Sequence, residues 1–206
     1  EKYKYKEINL KNTNNFTTKI IAGKYKGKQL ELPSLDVTRS SKARLKESFF
    51  NVLQFDIIDT TFVEAFAGSG SIGLEAISRD SKDVFFIEKD KQSYDVLIRN
   101  CKNIDINKCS TNLGDTFEVF PKVMENLKNR SNELVIYIDP PFDFRDGMID
   151  IYDRCFEMVS KIENDNILLI CFEHATTLEM PETLGKFELN KSKKFGKSTL
   201  SYYKNK

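Results

Sequence analysis

The chain lacks several residues and patterns that common enzyme mechanisms require. Its 206 residues contain no tryptophan and a single histidine, His174. That histidine follows an apolar run, and we interpret it as an ordinary residue at the end of a strand. Mechanisms built on Ser-His-Asp, on Cys-His or on several metal-bound histidines are therefore excluded.

Paired cysteines and long apolar runs are also missing. The four cysteines, Cys101, Cys109, Cys155 and Cys171, form no C-x-x-C pair. This spacing indicates reduced thiols in a cytosol-like compartment and predicts no metal site. No apolar run approaches the roughly 18 residues that a membrane span requires. We therefore expect a cytoplasmic protein, with an organellar version left open, and take a monomer as the default.

The net charge of +1 hides a strong asymmetry. Residues 1–30 carry eight lysines against two glutamates, and residues 186–206 carry seven lysines against one glutamate, so each end has a charge of +6. The middle of the chain is correspondingly acidic, at −11. This pattern indicates a polyanion bound by the two ends, although solvated Lys-rich termini would also explain it. The candidate phosphate-binding lysines are Lys24, Lys26, Lys28 and Lys197.

Strand and helix patterns alternate from residue 61 onwards. Short apolar runs such as "TFVEAF", "DVFFIE", "LVIYI" and "NILLICFE" are separated by amphipathic helical stretches. Five such repeats predict an α/β fold with a doubly wound, mainly parallel, seven-stranded sheet closed by an antiparallel strand. Before it, "KIIAGKYKGKQLELP" predicts a small β-hairpin. We expect residues 1–37 to form a flexible basic segment with this hairpin, and residues 38–206 to form the main domain.

A glycine-rich turn follows the first of these strands. Gly68, Gly70 and Gly73 form G-x-G-x-x-G before a helix, and Glu88 ends the next strand 20 residues after Gly68. This pattern is typical of dinucleotide sites, with the acid on the ribose hydroxyls. S-adenosylmethionine (SAM) places an adenosine across the same edge of such a sheet, so both ligands are open at this point.

Two further acids favour SAM over NAD. Glu64 stands just before the glycine turn, where a carboxylate would repel a pyrophosphate but would suit the positive amino group of a methionine. Asp115 opens the third helix, where it can accept a hydrogen bond from an adenine amino group. Cofactor contacts are accordingly predicted for both acids and for Phe66, Ala67, Gly68, Ser69, Gly70, Gly73, Glu88, Lys89 and Thr116.

The stretch "LVIYIDPPF" ends a buried strand with an acid, two prolines and an aromatic ring. Proline fixes its φ angle, so Pro140 and Pro141 hold a stiff loop. The Asp139 carboxylate and the Pro140 carbonyl can accept both N–H groups of an exocyclic amine, while Phe142 offers a face to an unstacked base. These residues predict methyl transfer to a base amine, catalysed mainly by positioning.

Together these stretches resemble the RsmD family of class I, SAM-dependent methyltransferases. The resemblance rests on "EAFAGSGSIGLEAISR", "FFIEKD", "GDTFEVF" and "IYIDPPF", and on "TRSSKARLKESFFNVL" and "KKFGKSTLSYY" at either side. It implies methylation of a guanine N2 in small-subunit (16S) ribosomal RNA, with SAM as cofactor. It also implies a role in RNA binding for Arg39, Arg44 and Lys46. The family's Arg-Pro-Thr reads Arg39-Ser40-Ser41 here, and Ala43 replaces an expected aspartate.

The sequence thus predicts an enzyme that methylates ribosomal RNA within the small subunit or an assembly intermediate. Two alternatives remain at this stage. One is an adenine-N6 methyltransferase of DNA or RNA, because D-P-P-F is shared with such enzymes. The other is a non-catalytic RNA-binding or ribosome-assembly protein that keeps the fold.

Overall fold

The computed structural model describes residues 16–33, 39–141 and 151–206, with the backbone alone at 39–41. The N-terminal hairpin pairs β1 (Thr17–Lys19) with β2 (Gln29–Glu31). The helices are α1 (Arg39–Leu53), α2 (Ser71–Ser78), α3 (Lys91–Ile104), α4 (Thr116–Leu127) and α5 (Ile151–Ser160). The remaining strands are β3 (Thr61–Glu64), β4 (Asp83–Glu88), β5 (Cys109–Leu113), β6 (Leu134–Ile138), β7 (Ile167–Ala175), β8 (Thr183–Leu184), β9 (Phe187–Phe195) and β10 (Ser198–Asn205).

The main sheet has the strand order β5-β4-β3-β6-β7-β10-β9-β8. Its first five strands are parallel, whereas β10, β9 and β8 each run antiparallel to the neighbour before them. The predicted doubly wound, mainly parallel sheet and the hairpin are confirmed. The sheet has eight strands within the described residues instead of seven, because the two-residue strand β8 pairs with β9. So short a strand leaves no alternation in the sequence.

The central strands are buried because helices cover both faces of the sheet. All five residues of β6 are buried, which explains its uninterrupted apolar sequence. One core layer joins the sheet to α1, α2 and α3 through residues such as Phe49, Leu74 and Leu97. The other joins it to α4 and α5 through residues such as Phe120 and Val159. The order of strands reverses between β3 and β6, so ligands are expected beyond the carboxyl ends of these two strands.

The hairpin is fixed to the main domain by a buried carboxylate. Glu75 of α2 is fully buried and accepts the backbone N–H groups of Ile21 at 2.8 Å and Ala22 at 2.9 Å. Asn100 of α3 accepts the N–H of Glu31 at 2.8 Å on the other side of the hairpin. These bonds hold the hairpin at the rim of the cleft described below. The predicted boundary at residues 37 and 38 lies outside the described residues.

No helix in the described part of the chain is long and apolar enough to cross a membrane. Within the same ranges, no cluster of three or more histidine, cysteine or acidic side chains has an arrangement that could bind a metal ion.

Candidate active site

A cleft of about 1100 Å³ lies beyond the carboxyl ends of β3, β4, β5 and β6. Parallel strands bring their ends to one edge, which is why residues far apart in sequence meet here. Eleven of the predicted catalytic and cofactor-binding residues line this cleft. They are Glu64, Phe66, Ala67, Gly68, Ser69, Glu88, Lys89, Asp115, Thr116, Asp139 and Pro141.

Glu64, the last residue of β3, points its carboxylate at the start of α2. Its Oε2 accepts the backbone N–H of Gly73 at 2.8 Å, and the N–H of Ile72 also stabilises its charge. Burial nevertheless raises the pKa of Glu64 to about 8, and the nearby Asp139 adds to the effect. The anion position at the N-terminus of α2 is thus filled by a side chain of the protein itself. A pyrophosphate would need that position, so the geometry argues against NAD.

Gly70 and Gly73 shape the turn from its inner side. Gly70 has a φ of 77°, which favours glycine, and a Cβ there would lie 2.4 Å from a methyl carbon of Leu97. A Cβ on Gly73 would lie 2.4 Å from the ring of Phe86. Both glycines are therefore required by the close packing of α2 on β4 and α3. Their predicted cofactor contacts stay predictions beside this role in building the loop.

Glu88, the last residue of β4, is held from two sides. Its Oε2 accepts the N–H of Gly68 at 2.6 Å, and its Oε1 accepts the N–H of Asp90 at 2.7 Å. Each carboxylate oxygen has a second lone pair, so the side chain is oriented and can still accept two more hydrogen bonds. A pair of ribose hydroxyls matches this requirement.

Asp115 caps the N-terminus of α4 and faces the cleft beside Lys89. Its Oδ1 accepts the N–H of Phe117 at 3.0 Å, and its Oδ2 accepts a hydrogen bond from Lys89 Nζ at 2.8 Å. The lysine is the main cause of a lowered pKa at Asp115, so the carboxylate is ionised at neutral pH. Thr116 uses its hydroxyl to bond the Ala65 carbonyl at 2.6 Å, so it supports the loop. Apolar surface next to these groups comes from Ile87 and Phe117.

Asp139 lies directly after β6, opposite the glycine loop. Burial is the main cause that raises its pKa to about 8, and the negative charge of Glu173 is the second. Lys42 of α1 lies 3.5 Å from Asp139 Oδ2 and 3.8 Å from Glu173 Oε1, and it opposes this rise. Three charged side chains therefore meet at the wall of the cleft formed by β6, β7 and α1.

The two prolines that follow Asp139 differ in their exposure to solvent. Pro140 is buried, and Pro141 is exposed and lines the cleft. Phe142, the predicted stacking residue, lies outside the described residues. The loop predicted to be stiff is therefore described only at its beginning.

The predicted RNA-binding residues fall into two groups. Lys24, Lys26, Lys28, Arg44 and Lys197 are exposed. Lys28 donates to the carbonyl of Asn103 at 2.9 Å and, like Lys24, lies over the ring of Tyr25. The side chain of Arg39 lies outside the described residues.

Lys46 is buried inside the protein instead of facing RNA. It has 4% of its surface exposed, donates to the Lys19 carbonyl at 3.0 Å and lies 3.4 Å from Glu75 Oε2. Burial lowers its pKa, while Glu75 opposes that effect. The predicted role of Lys46 in RNA binding is corrected: Lys46 binds the hairpin to α2, because it lies on the buried side of α1 with its ammonium against the Lys19 carbonyl and Glu75.

Sequence reasoning missed Lys42, Tyr137 and Glu173. Glu173 is 2% exposed, and its Oε2 accepts a hydrogen bond of 2.7 Å from the Tyr137 hydroxyl. The available signal was a carboxylate inside the apolar run "ILLICFEHA" near the end of a central strand. Arg154, which lies 3.8 Å from the Phe117 ring centre and lines the cleft, was also missed.

The fold and the series of acids at the strand ends define the class I, SAM-dependent methyltransferases. The family model described as Conserved hypothetical protein 95 matches residues 18–204, so the chain belongs to that family and the resemblance to RsmD is confirmed.

Two curated relatives are called Ribosomal RNA small subunit methyltransferase D. The one from Haemophilus influenzae is 35% identical over 61% of this chain and 64% of its own length, so the match spans less than two thirds of that protein. The one from Escherichia coli is 27% identical over 90% of this chain and 88% of its own length. The solved structure of yhhF from Escherichia coli shares the fold, with a TM-score of 0.73 and 24% identity over 93% of this chain and 99% of that one.

Proposed function

We propose that this protein transfers a methyl group from SAM to the exocyclic N2 of a guanine in small-subunit ribosomal RNA. The observation that carries the proposal is the position of Asp139, which lies in the same cleft as Glu64, Glu88 and Asp115. Family membership and the names of the relatives support the reaction and the substrate. We further propose that the protein acts as a monomer in the cytoplasm.

The residues of the cleft fit SAM. Glu64 would bind the positive amino group, because its buried carboxylate gains an opposite charge that it lacks in the free protein. Glu88 would accept from the ribose hydroxyls, and Asp115 from the adenine amino group between Ile87 and Phe117. Bound there, SAM supplies a methyl group on a positively charged sulfur.

The Asp139 loop would hold the guanine amine. The Asp139 carboxylate and the Pro140 carbonyl accept its two N–H groups and direct the nitrogen lone pair into the cleft. Holding the amine in that orientation accounts for most of the expected rate enhancement. In its ionised form Asp139, whose pKa is raised to about 8, can then accept the proton that the methylated amine loses.

The RNA would contact exposed basic residues beside the cleft. Arg44, Lys191 and Lys193 surround a surface groove with Phe195. The hairpin lysines Lys24 and Lys28 form a second exposed basic group, near the ends of α2 and α3 and farther from the cleft. Such a surface binds phosphates with an affinity that falls with salt.

Two other functions are compatible with some of the features of this site. An adenine-N6 methyltransferase would use the same Asp139 loop, and a non-catalytic assembly protein would keep the same fold. The intact series Glu64, Glu88 and Asp139 favours catalysis, because a binding protein has no need for an oriented amine acceptor.

Transfer of labelled methyl groups from SAM tests the proposal. The acceptors are small ribosomal subunits assembled on unmodified RNA, the same RNA free of protein, and duplex DNA. Label in the subunits or the free RNA, but not in DNA, is expected. Label in DNA alone would contradict the proposed substrate, and tight SAM binding without transfer to any acceptor would support the non-catalytic alternative.

A further inference from the structure

Glu173 presents a buried carboxylate to the cleft that no step above uses. The residue lines the cleft and is 2% exposed. Its Oε2 is bound by the Tyr137 hydroxyl, and no permanent donor among the described residues bonds Oε1, although the Asp139 carboxyl group lies close enough to share a proton with Glu173. Lys42 Nζ, 3.8 Å away, compensates part of its charge. A buried carboxylate oxygen without a hydrogen bond costs stability, which indicates that a ligand uses it.

The position of Glu173 relates it to the methyl acceptor. Lys42 lies between Glu173 Oε1 and Asp139 Oδ2, so one ammonium is shared by the two carboxylates. Asp139 is the residue to which the amine is assigned above. A group next to that amine would therefore meet Glu173. In guanine the N2 amine is flanked by N1–H, a donor, and by N3, an acceptor. In adenine the N6 amine has N1, an acceptor, on one side and no donor on the other, so only guanine offers a donor next to its amine.

We propose that Glu173 Oε1 accepts the N1–H of the target guanine and thereby selects guanine over adenine. The assignment rests on the proposed function. Asp139 and Glu173 then bind two adjacent donors of one base, a pattern that adenine lacks on its amino side. An adenine would place its N1 lone pair against a buried carboxylate, which repels it. Tyr137 is a positioning residue, because its hydrogen bond fixes the rotation of the Glu173 carboxylate.

The test compares guanine with 2-aminopurine at the methylated position. 2-Aminopurine keeps the amine but has no hydrogen on N1. The wild-type protein is expected to favour guanine in kcat/KM by at least about 100-fold. The reason is that 2-aminopurine leaves the buried oxygen of Glu173 without a hydrogen bond, and a site with an unpaired buried polar group discriminates strongly against such an analogue. In Glu173→Gln the amide oxygen can keep the Tyr137 hydrogen bond and leave the NH2 group to face N1. That variant should lose most or all of the preference, while its affinity for SAM stays unchanged.

The matched control is Glu75→Gln, which alters another buried, ion-paired glutamate away from the cleft. It should keep the wild-type ratio between the two bases even if the protein is less stable. Comparing ratios cancels the different intrinsic reactivity of the two amines. Fluorescence of the 2-aminopurine provides a second readout, because Glu173→Gln should bind that base more tightly than the wild type does.

The outcomes separate this assignment from the proposed function. If the wild-type protein methylates no guanine, both are overturned. If it methylates guanine and 2-aminopurine equally well, the role of Glu173 is overturned alone, and this result needs no variant to fold. An unchanged ratio in folded Glu173→Gln would contradict it as well.

Discussion

The Glu64 carboxylate accepts the backbone N–H of Gly73 at 2.8 Å, so the last residue of β3 closes the N-terminus of α2. In a nucleotide-binding loop this helix end would be open to a phosphate. Here the protein supplies the anion itself, so a pyrophosphate would meet a carboxylate at this helix end. The contact favours the proposed SAM site over a dinucleotide site with the same glycine spacing.

The affinity for SAM should rise with pH because of Glu64. Its pKa is raised to about 8, so the carboxyl group is largely protonated at pH 6 and ionised at pH 9, and the ionised form attracts the SAM amino group. Calorimetric titration from pH 6 to 7.5, below the pKa of about 8 at which an α-amino group loses its own charge, should show this trend. Glu64→Gln should bind more weakly with a flatter profile. An equally steep profile in the variant would assign the effect to another group.

Asp139→Ala should abolish methyl transfer while leaving SAM binding largely intact. Without the carboxylate the amine is no longer oriented, which should lower kcat by about 100-fold or more. Single-turnover transfer and calorimetry measure the two quantities separately. Glu88→Ala is the matched comparison, because it should instead weaken SAM binding. Similar losses of SAM affinity in both variants would show that Asp139 contacts the cofactor.

Glu75→Ala should destabilise the protein by about 3 kcal/mol, because it leaves the buried ammonium of Lys46 without its partner. It also removes the acceptor for Ile21 and Ala22, so the hairpin should become sensitive to trypsin at Lys24–Lys28. Urea unfolding and limited proteolysis test the two effects. Glu182→Gln, an exposed change, serves as the control. Equal stability of both variants would contradict the structural role of Glu75.

Replacing the lysines of the groove formed by Arg44, Lys191 and Lys193 with neutral residues should weaken RNA binding. It should also make the binding constant less dependent on the salt concentration. Each lost phosphate contact should reduce the slope of log K against log salt by about 1. Binding of Lys191→Gln and Lys193→Gln to small-subunit RNA across a salt series measures this slope. Lys161→Gln, directly after α5 and paired with Glu157, provides a control with the same charge change. A slope that falls as much in the control would indicate a general effect of net charge.

Much of the fold, and most of the residues that line the cleft, could be predicted because the signals are local. Apolar strand runs, the glycine turn and acids at strand ends are each read within a few residues. Lys46 and Glu173 were misjudged or missed because their environments arise from tertiary packing. An exposed lysine and a buried one look alike in a helix of mixed polarity, and only the strand order places Glu173 beside Asp139.

The most direct test of the central claim is the identity of the nucleoside that carries the methyl group. Small subunits assembled on unmodified RNA would be incubated with SAM and the wild-type protein, then digested to nucleosides for mass spectrometry, with Asp139→Ala as the blank. We predict N2-methylguanosine in the wild-type sample alone. N6-methyladenosine, or the same product with Asp139→Ala, would contradict the assignment of this site.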